Sequence, residues 1–167
     1  MPLDAADRKD RIDRYARGPA LLKAALERVP EEARQWRPAP GKWSVHEVIC
    51  HCADSELNGA SRVKYLIAEK DPLIVGYDQD EWAKRFDYHQ HPLDAALRTV
   101  EAVRANTAAM LARLPDEAFS REGRHSESGR YGVEQWLNTY AEHLEKHSAQ
   151  IERNLQAWKA AQAGGRR

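Results

Sequence analysis

Residues 133–155, VEQWLNTYAEHLEKHSAQIERNL, decide how the rest of the chain is read. Val133, Leu137, Tyr140, Leu144, Ile151 and Leu155 recur at intervals of three, four or seven. That period belongs to one face of an α-helix. His143 and His147 stand one turn apart on it. At about 100° per residue, Trp136, Tyr140, His143 and His147 form a row along the edge of the apolar face. Glu142, Glu145 and Lys146 point elsewhere. The two imidazoles therefore look inward or into a cleft, where they can share an ion or hydrogen-bond to buried neighbours.

The same period runs outward through the chain. Leu21, Leu22, Ala25, Leu26 and Val29 repeat at helical spacing after Gly18-Pro19, a dipeptide that predicts a kink or restart following a segment over about 4–17. Ser44-x-x-Glu47 is a capping box that opens a second helix, with Val45, Val48, Ile49, Cys52, Val63, Leu66 and Ile67 as its stripe, ending near Lys70. A long crossover follows, with a short helix expected at 81–85. The third helix starts at Pro92, and Leu93, Leu97, Val100, Val103, Thr107, Met110 and Leu114 form its expected inner face. The fourth runs from Val133 to about Ala161. No stretch alternates with a period of two for long enough to predict a sheet.

A faint repeat links the halves: RVPEEARQW (28–36) echoes RLPDEAFSR (113–121), and SVHEV (44–48) echoes YGVEQW (131–136). Each half reads as helix, proline-initiated turn, loop, helix. The expectation is an all-α fold, a four-helix bundle with a long crossover between helices two and three. It forms a single domain over 1–161, with 162–167 as a disordered tail.

The chain has 167 residues, enough for one domain with a real core. Its 26 basic side chains balance its 26 acidic ones. That balance gives no electrostatic footprint for nucleic acid or anionic lipid. The polar start predicts no signal peptide, and no apolar run predicts a membrane span. Cys50 and Cys52 are too close for an unstrained disulfide within a helix. The setting expected is a reducing cytoplasm.

A protein-held ion needs a third ligand. His51 flanks the apolar stripe of helix two and, placed opposite helix four, could complete a three-histidine site. Asp54, one turn on, can orient a ligand or bind water, or equally form a local cap or ion pair. Glu56 falls on the apolar stripe and needs a partner, Arg62 or a residue from another helix; a structural ion pair is the favoured reading. Cys52 reads as a small core residue and His46 as an exposed first-turn residue. His89 and His91 can approach from the crossover, and His125 can line a rim. Tyr77, Asp78, Asp80 and Trp82 either cover the open face of a site or pack over the bundle end. Tyr140 is a hydrogen-bond donor beside the histidines, or core.

KWSVHEVICHCADSE (42–56), KDPLIVGYDQDEW (70–82), HSESG (125–129) and YAEHLEKHSAQI (140–151) together resemble the DinB-like (damage-inducible) family. The branch they resemble is that of metal-dependent hydrolases and bacillithiol S-transferases. The resemblance extends from about Arg17 to Asn154. It implies a four-helix bundle with a divalent ion bound by His51, His143 and His147. It also implies a small-molecule substrate and allows a homodimer. Lys146, Gln150 and Glu56 stand where relatives often carry further histidines. Three imidazoles leave a coordination position open, the mark of a catalytic site. Zinc suits them best, and nickel or iron also fits. Such a site supports hydrolysis, or transfer of a low-molecular-weight thiol cosubstrate to an electrophile. Asp54 and Tyr140 are the catalytic candidates. A non-catalytic metal- or ligand-binding stress-response module is the alternative.

Overall fold

The computed structural model describes residues 3–164. Six helices, α1 (Ala5–Glu27), α2 (Val45–Ala68), α3 (Gln79–Arg85), α4 (Leu93–Leu111), α5 (Asp116–Phe119) and α6 (Val133–Gly164), are joined by loops, two 3-10 turns and three short strands. The four long helices form the bundle. α1 packs against α4 and α6, and α2 packs against the same two. α1 and α2 thus sit across one diagonal and α4 and α6 across the other, and α2 comes to lie beside α6.

Local chemistry sets the helix ends. Asp4 caps α1, accepting from the Asp7 N–H at 2.8 Å. At α2 the capping box is complete: the Glu47 N–H donates to Ser44 Oγ at 3.2 Å and the Ser44 N–H donates to Glu47 Oε2 at 2.8 Å. Asp78 caps α3, which starts two residues before the expected stretch. The two echoed proline segments are both helical turns, Glu31–Ala33 after Pro30 and Asp116–Phe119 after Pro115.

Four expectations are corrected. α1 does not restart at Gly18-Pro19; it continues through Pro19. The buried row of α4 is Ala96, Val100, Arg104, Thr107 and Leu111. This face is rotated from the one expected because Arg104, a charged residue outside the apolar repeat, occupies a seam position. A small sheet exists: β1 (Leu73–Ile74) pairs parallel with β2 (Glu122–His125), which pairs antiparallel with β3 (Gly129–Gly132). Strands this short show no period of two. Finally, α6 continues through 162–164, where a disordered tail was expected; residues 165–167 lie outside the described residues.

The core has two apolar clusters. One gathers Leu22, Leu26, Val48, Ile49, Cys52, Val100, Leu144, Ile151 and Leu155. The other gathers Tyr15, Val63, Leu66, Leu111, Phe119, Trp136, Leu137 and Tyr140. Between them along each long helix lies a break in apolar character: Gly18 on α1, Glu56 on α2, Arg104 on α4 and His143 on α6. No helix among the described residues is long and apolar enough to cross a membrane.

Candidate metal centre

The facing edges of α2 and α6 bring three imidazoles together. The His51 ring centroid lies 5.5 Å from that of His143 and 4.9 Å from that of His147, and the latter two are 4.6 Å apart. One nitrogen from each lies within 4.8 Å of the others. Zinc–nitrogen bonds of about 2.0–2.1 Å set tetrahedral donors about 3.4 Å apart, so small rotamer changes close the set.

Electrostatics keep two of these rings, His51 and His147, ready to donate lone pairs. His51 is 2% exposed. Burial, reinforced by its two histidine neighbours, pushes it down to about 2. His147 is lowered to about 4, again by burial first and by His143 second. Both are therefore neutral at pH 7. His51 Nδ1 is buried without a hydrogen-bond partner. An orphaned imidazole nitrogen is costly. It fits, together with the neutral His51 and His147 rings, a divalent cation between the three imidazoles.

The outer nitrogens of the α6 pair are held. His143 Nδ1 donates to Glu56 Oε1 at 3.2 Å, and His147 Nδ1 donates to Gln150 Oε1 at 2.9 Å. Both acceptors turn the opposite nitrogen inward. Ser55 Oγ lies 3.4 Å from His143 Nε2. The Trp43 ring covers His51 at 4.7 Å, and its backbone oxygen accepts from Asn154 Nδ2 at 2.9 Å.

Glu56 is fully buried with Arg104 of α4, whose Nη2 donates to Glu56 Oε1 at 2.7 Å. Arg62 donates to the Val75 carbonyl instead. Burial would raise the Glu56 carboxyl, but the His143 hydrogen bond and the Arg104 charge outweigh it and hold the group below its usual range. Arg104 went unassigned in the sequence. Its signal was a charge in register with Val100, Thr107 and Leu111.

Asp54 Oδ2 accepts from the Tyr88 hydroxyl at 2.5 Å, which ties the crossover to α2. Tyr140 stacks on Trp136 at 4.9 Å, lies 5.6 Å from the His143 ring and donates to the Ser55 carbonyl at 3.3 Å. It walls the centre, with its hydroxyl committed to backbone. The Tyr77 hydroxyl is buried near Ser55 and Tyr140, and its ring packs on Trp82 at 4.4 Å. Asp80 is exposed and points into solvent.

The remaining candidates lie apart from the three rings. His46 is buried rather than exposed, because its Nε2 meets the His91 carbonyl at 2.8 Å. His89 pairs with Ser44 Oγ at 2.8 Å. His125 lies in β2 against Tyr131. Cys50 and Cys52 are free and buried. Burial pushes the Cys50 thiol up to about 12, and that of Cys52 also upward.

Bundles that aim histidines from neighbouring helices at one point are a recurrent setting for metal centres. The chain belongs to the DinB superfamily, whose family model matches residues 14–151. It is 34% identical over 133 residues to a protein of Oceanobacillus iheyensis named "putative metal-dependent hydrolase", covering 80% of this chain and 77% of that one. A Bacillus licheniformis protein of the same name is 29% identical over 153 residues, covering 90% of this chain and 87% of its own. The solved structure of YfiT from Bacillus subtilis superposes with a TM-score of 0.89 at 25% identity, covering 95% of this chain and 91% of that chain. YfiT is described as a probable metal-dependent hydrolase with an unusual four-helix bundle topology.

Proposed function

We propose that the chain is a metal-dependent enzyme in which His51, His143 and His147 hold a divalent ion. It activates a small nucleophile, either water for hydrolysis or a low-molecular-weight thiol for transfer to an electrophile. The observation that carries this reading is the convergence of three imidazoles from two helices within 4.8 Å of one another. A divalent ion held by three imidazoles keeps a position for one further ligand and lowers the pKa of a water or thiol bound there. Zinc fits the donors, as do nickel and iron. The names of the curated relatives support hydrolysis. The resemblance to the S-transferase branch supports the thiol reaction.

The chain's own residues have separable tasks in this reading. Glu56 and Gln150 fix the two α6 imidazoles. Asp54, one turn beyond His51 and oriented by the Tyr88 hydroxyl, is the proton acceptor for the incoming nucleophile. Tyr140 shapes the wall. Tyr77, Trp82 and Trp43 give the site an aromatic surround suited to an apolar portion of a small substrate.

Elemental analysis of the purified protein tests the centre. One equivalent of divalent metal is expected, and it is lost in His143→Ala and His147→Ala. Unchanged stoichiometry in those variants removes the site. Metal-stripped and reconstituted protein is then assayed with a panel of esters and amides, and with thiols plus electrophiles. Metal-dependent turnover in either panel supports an enzyme. Bound metal without turnover in both makes the chain a binding module.

A further inference from the structure

Gly18-Pro19 sits in the middle of α1, far from the three histidines in sequence, and the proposed reaction gives it no task. Proline has no N–H, so the carbonyl of Tyr15, four residues earlier, lacks its usual helical donor. That carbonyl is nonetheless satisfied. Arg104 reaches across from α4, and its Nη1 donates to Tyr15 O at 2.6 Å. The guanidinium lies over the Tyr15 ring, 4.1 Å from its centroid. Residue 18 has to be glycine for this seat: a Cβ there would stand 2.5 Å from Arg104 Nη1 and 3.0 Å from Leu144 Cβ.

The other arm of the guanidinium faces the histidines. Nη2 donates to the Tyr140 carbonyl at 2.8 Å and to Glu56 Oε1 at 2.7 Å. The same Glu56 oxygen accepts from His143 Nδ1. A carboxylate can only accept, so His143 Nδ1 carries a proton, and in the neutral ring that leaves the lone pair on Nε2. We infer that the Gly18-Pro19 seat, Arg104 and Glu56 form a positioning relay that holds His143 in its Nδ1–H tautomer with Nε2 turned toward the other two imidazoles. Every long helix contributes one link, so the tautomer of one ring is fixed by the packing of the whole bundle.

Stability alone gives little reason for such a pair. Replacing a buried ion pair with apolar side chains of similar volume is often neutral or stabilising. The gain from Arg104 and Glu56 lies in orientation: the guanidinium has fixed donors for three acceptors, and it locks the carboxylate that the imidazole needs. Arg104 and Glu56 are positioning residues; neither faces the point where the three rings converge.

The inference rests on the three-histidine reading for what Nε2 faces, but not for the tautomer itself, so the test has two arms. In metal-free protein labelled with 15N-histidine, long-range proton–nitrogen correlations read the His143 tautomer. Nδ1–H is expected in the native chain and in Glu56→Gln, which keeps an oxygen in place. It is lost in the Glu56→Met/Arg104→Met double variant, which removes both charges together. Zinc affinity, measured by chelator competition, is expected to fall about tenfold in Glu56→Gln and about ten- to a hundredfold in the double variant. An Nε2–H tautomer in the native chain overturns the relay. So does unchanged zinc affinity in folded Glu56→Gln, a measurement that stands even if the double variant does not fold. If the native chain binds no zinc while His143 still shows the Nδ1–H form and loses it in the double variant, the relay stands and the metal reading falls.

Discussion

Arg104 and Tyr15, 89 residues apart, share a 2.6 Å hydrogen bond whose acceptor is free because residue 19 is proline. A helix-breaking residue and a buried charge, each unfavourable alone, are here one interaction. The helix passes through Pro19 because an outside donor replaces the missing N–H.

Gly18→Ala should therefore destabilise the protein, against its propensity. In a helix interior Ala is favoured over Gly by about 0.8–1.0 kcal/mol. Here its methyl group would stand 2.5 Å from Arg104 Nη1, and the guanidinium is pinned by three acceptors and cannot yield cheaply. Overpacking of this kind costs about 1–3 kcal/mol. A net loss of up to about 2 kcal/mol is expected, read as a lower urea midpoint with an unchanged slope. A stabilised Gly18→Ala variant would show that the seat is not tight.

The legible and the illegible parts of this chain divide along the range of the interactions. Ser44-x-x-Glu47 is a signal contained in four residues, and α2 begins where it says. His143 and His147 could be placed on an inner edge because both the row and the apolar face lie on one helix. Pairing Leu73 with Arg124, by contrast, joins distant segments through backbone, and strands of two and four residues carry no alternation. Glu56 was visible as a charge on an apolar row, but nothing in its segment named its partner, and Arg104 stood unassigned on the third helix. Gly18-Pro19 was read as a local break because its compensating donor lies on another helix. His46 was read as exposed because first-turn residues usually are, whereas its partner carbonyl comes from the crossover.

The acid limb of stability should carry a contribution from Glu47. Burial alone would raise this carboxyl, but hydrogen bonds from Arg37 and from the Ser44 N–H bring it down from 4.5 to about 2. A depressed carboxyl stabilises the fold above its unfolded value, and that contribution is lost as pH falls through the folded one. The window here runs from about 4.5 down to about 2. Because Arg37 is half exposed, a contribution on the order of 1–2 kcal/mol is expected. Urea midpoints of the native chain and Glu47→Gln should differ fully at pH 6 and converge below pH 4.5. A constant gap down to pH 2.5 would assign the effect to packing.

Cys50 and Cys52 should be silent in the folded protein. Cys52 is fully buried and Cys50 is 3% exposed, and burial raises both thiols far above neutral pH. Since the thiolate is the reactive form, a chromogenic disulfide reagent at pH 7 should titrate no thiol until denaturant is added, and then two. Rapid modification of one thiol in the native state would reopen a nucleophilic role for α2.

Metal removal should separate the centre from the fold. The bundle is built on two apolar clusters, and the three imidazoles lie on one helix pair, so chelated protein is expected to keep its helical circular dichroism. A ligand that binds only the native state adds RT ln(1 + [L]/Kd), about 2.7 kcal/mol at a free concentration a hundredfold above Kd. For a domain of this size that raises Tm by about 5–10 °C. His51→Ala should abolish the zinc-dependent rise in Tm while leaving the metal-free Tm within a few degrees, since it also removes an orphaned buried nitrogen. A zinc-dependent rise of equal size in His51→Ala would place the ion elsewhere on the molecule and detach α2 from the centre.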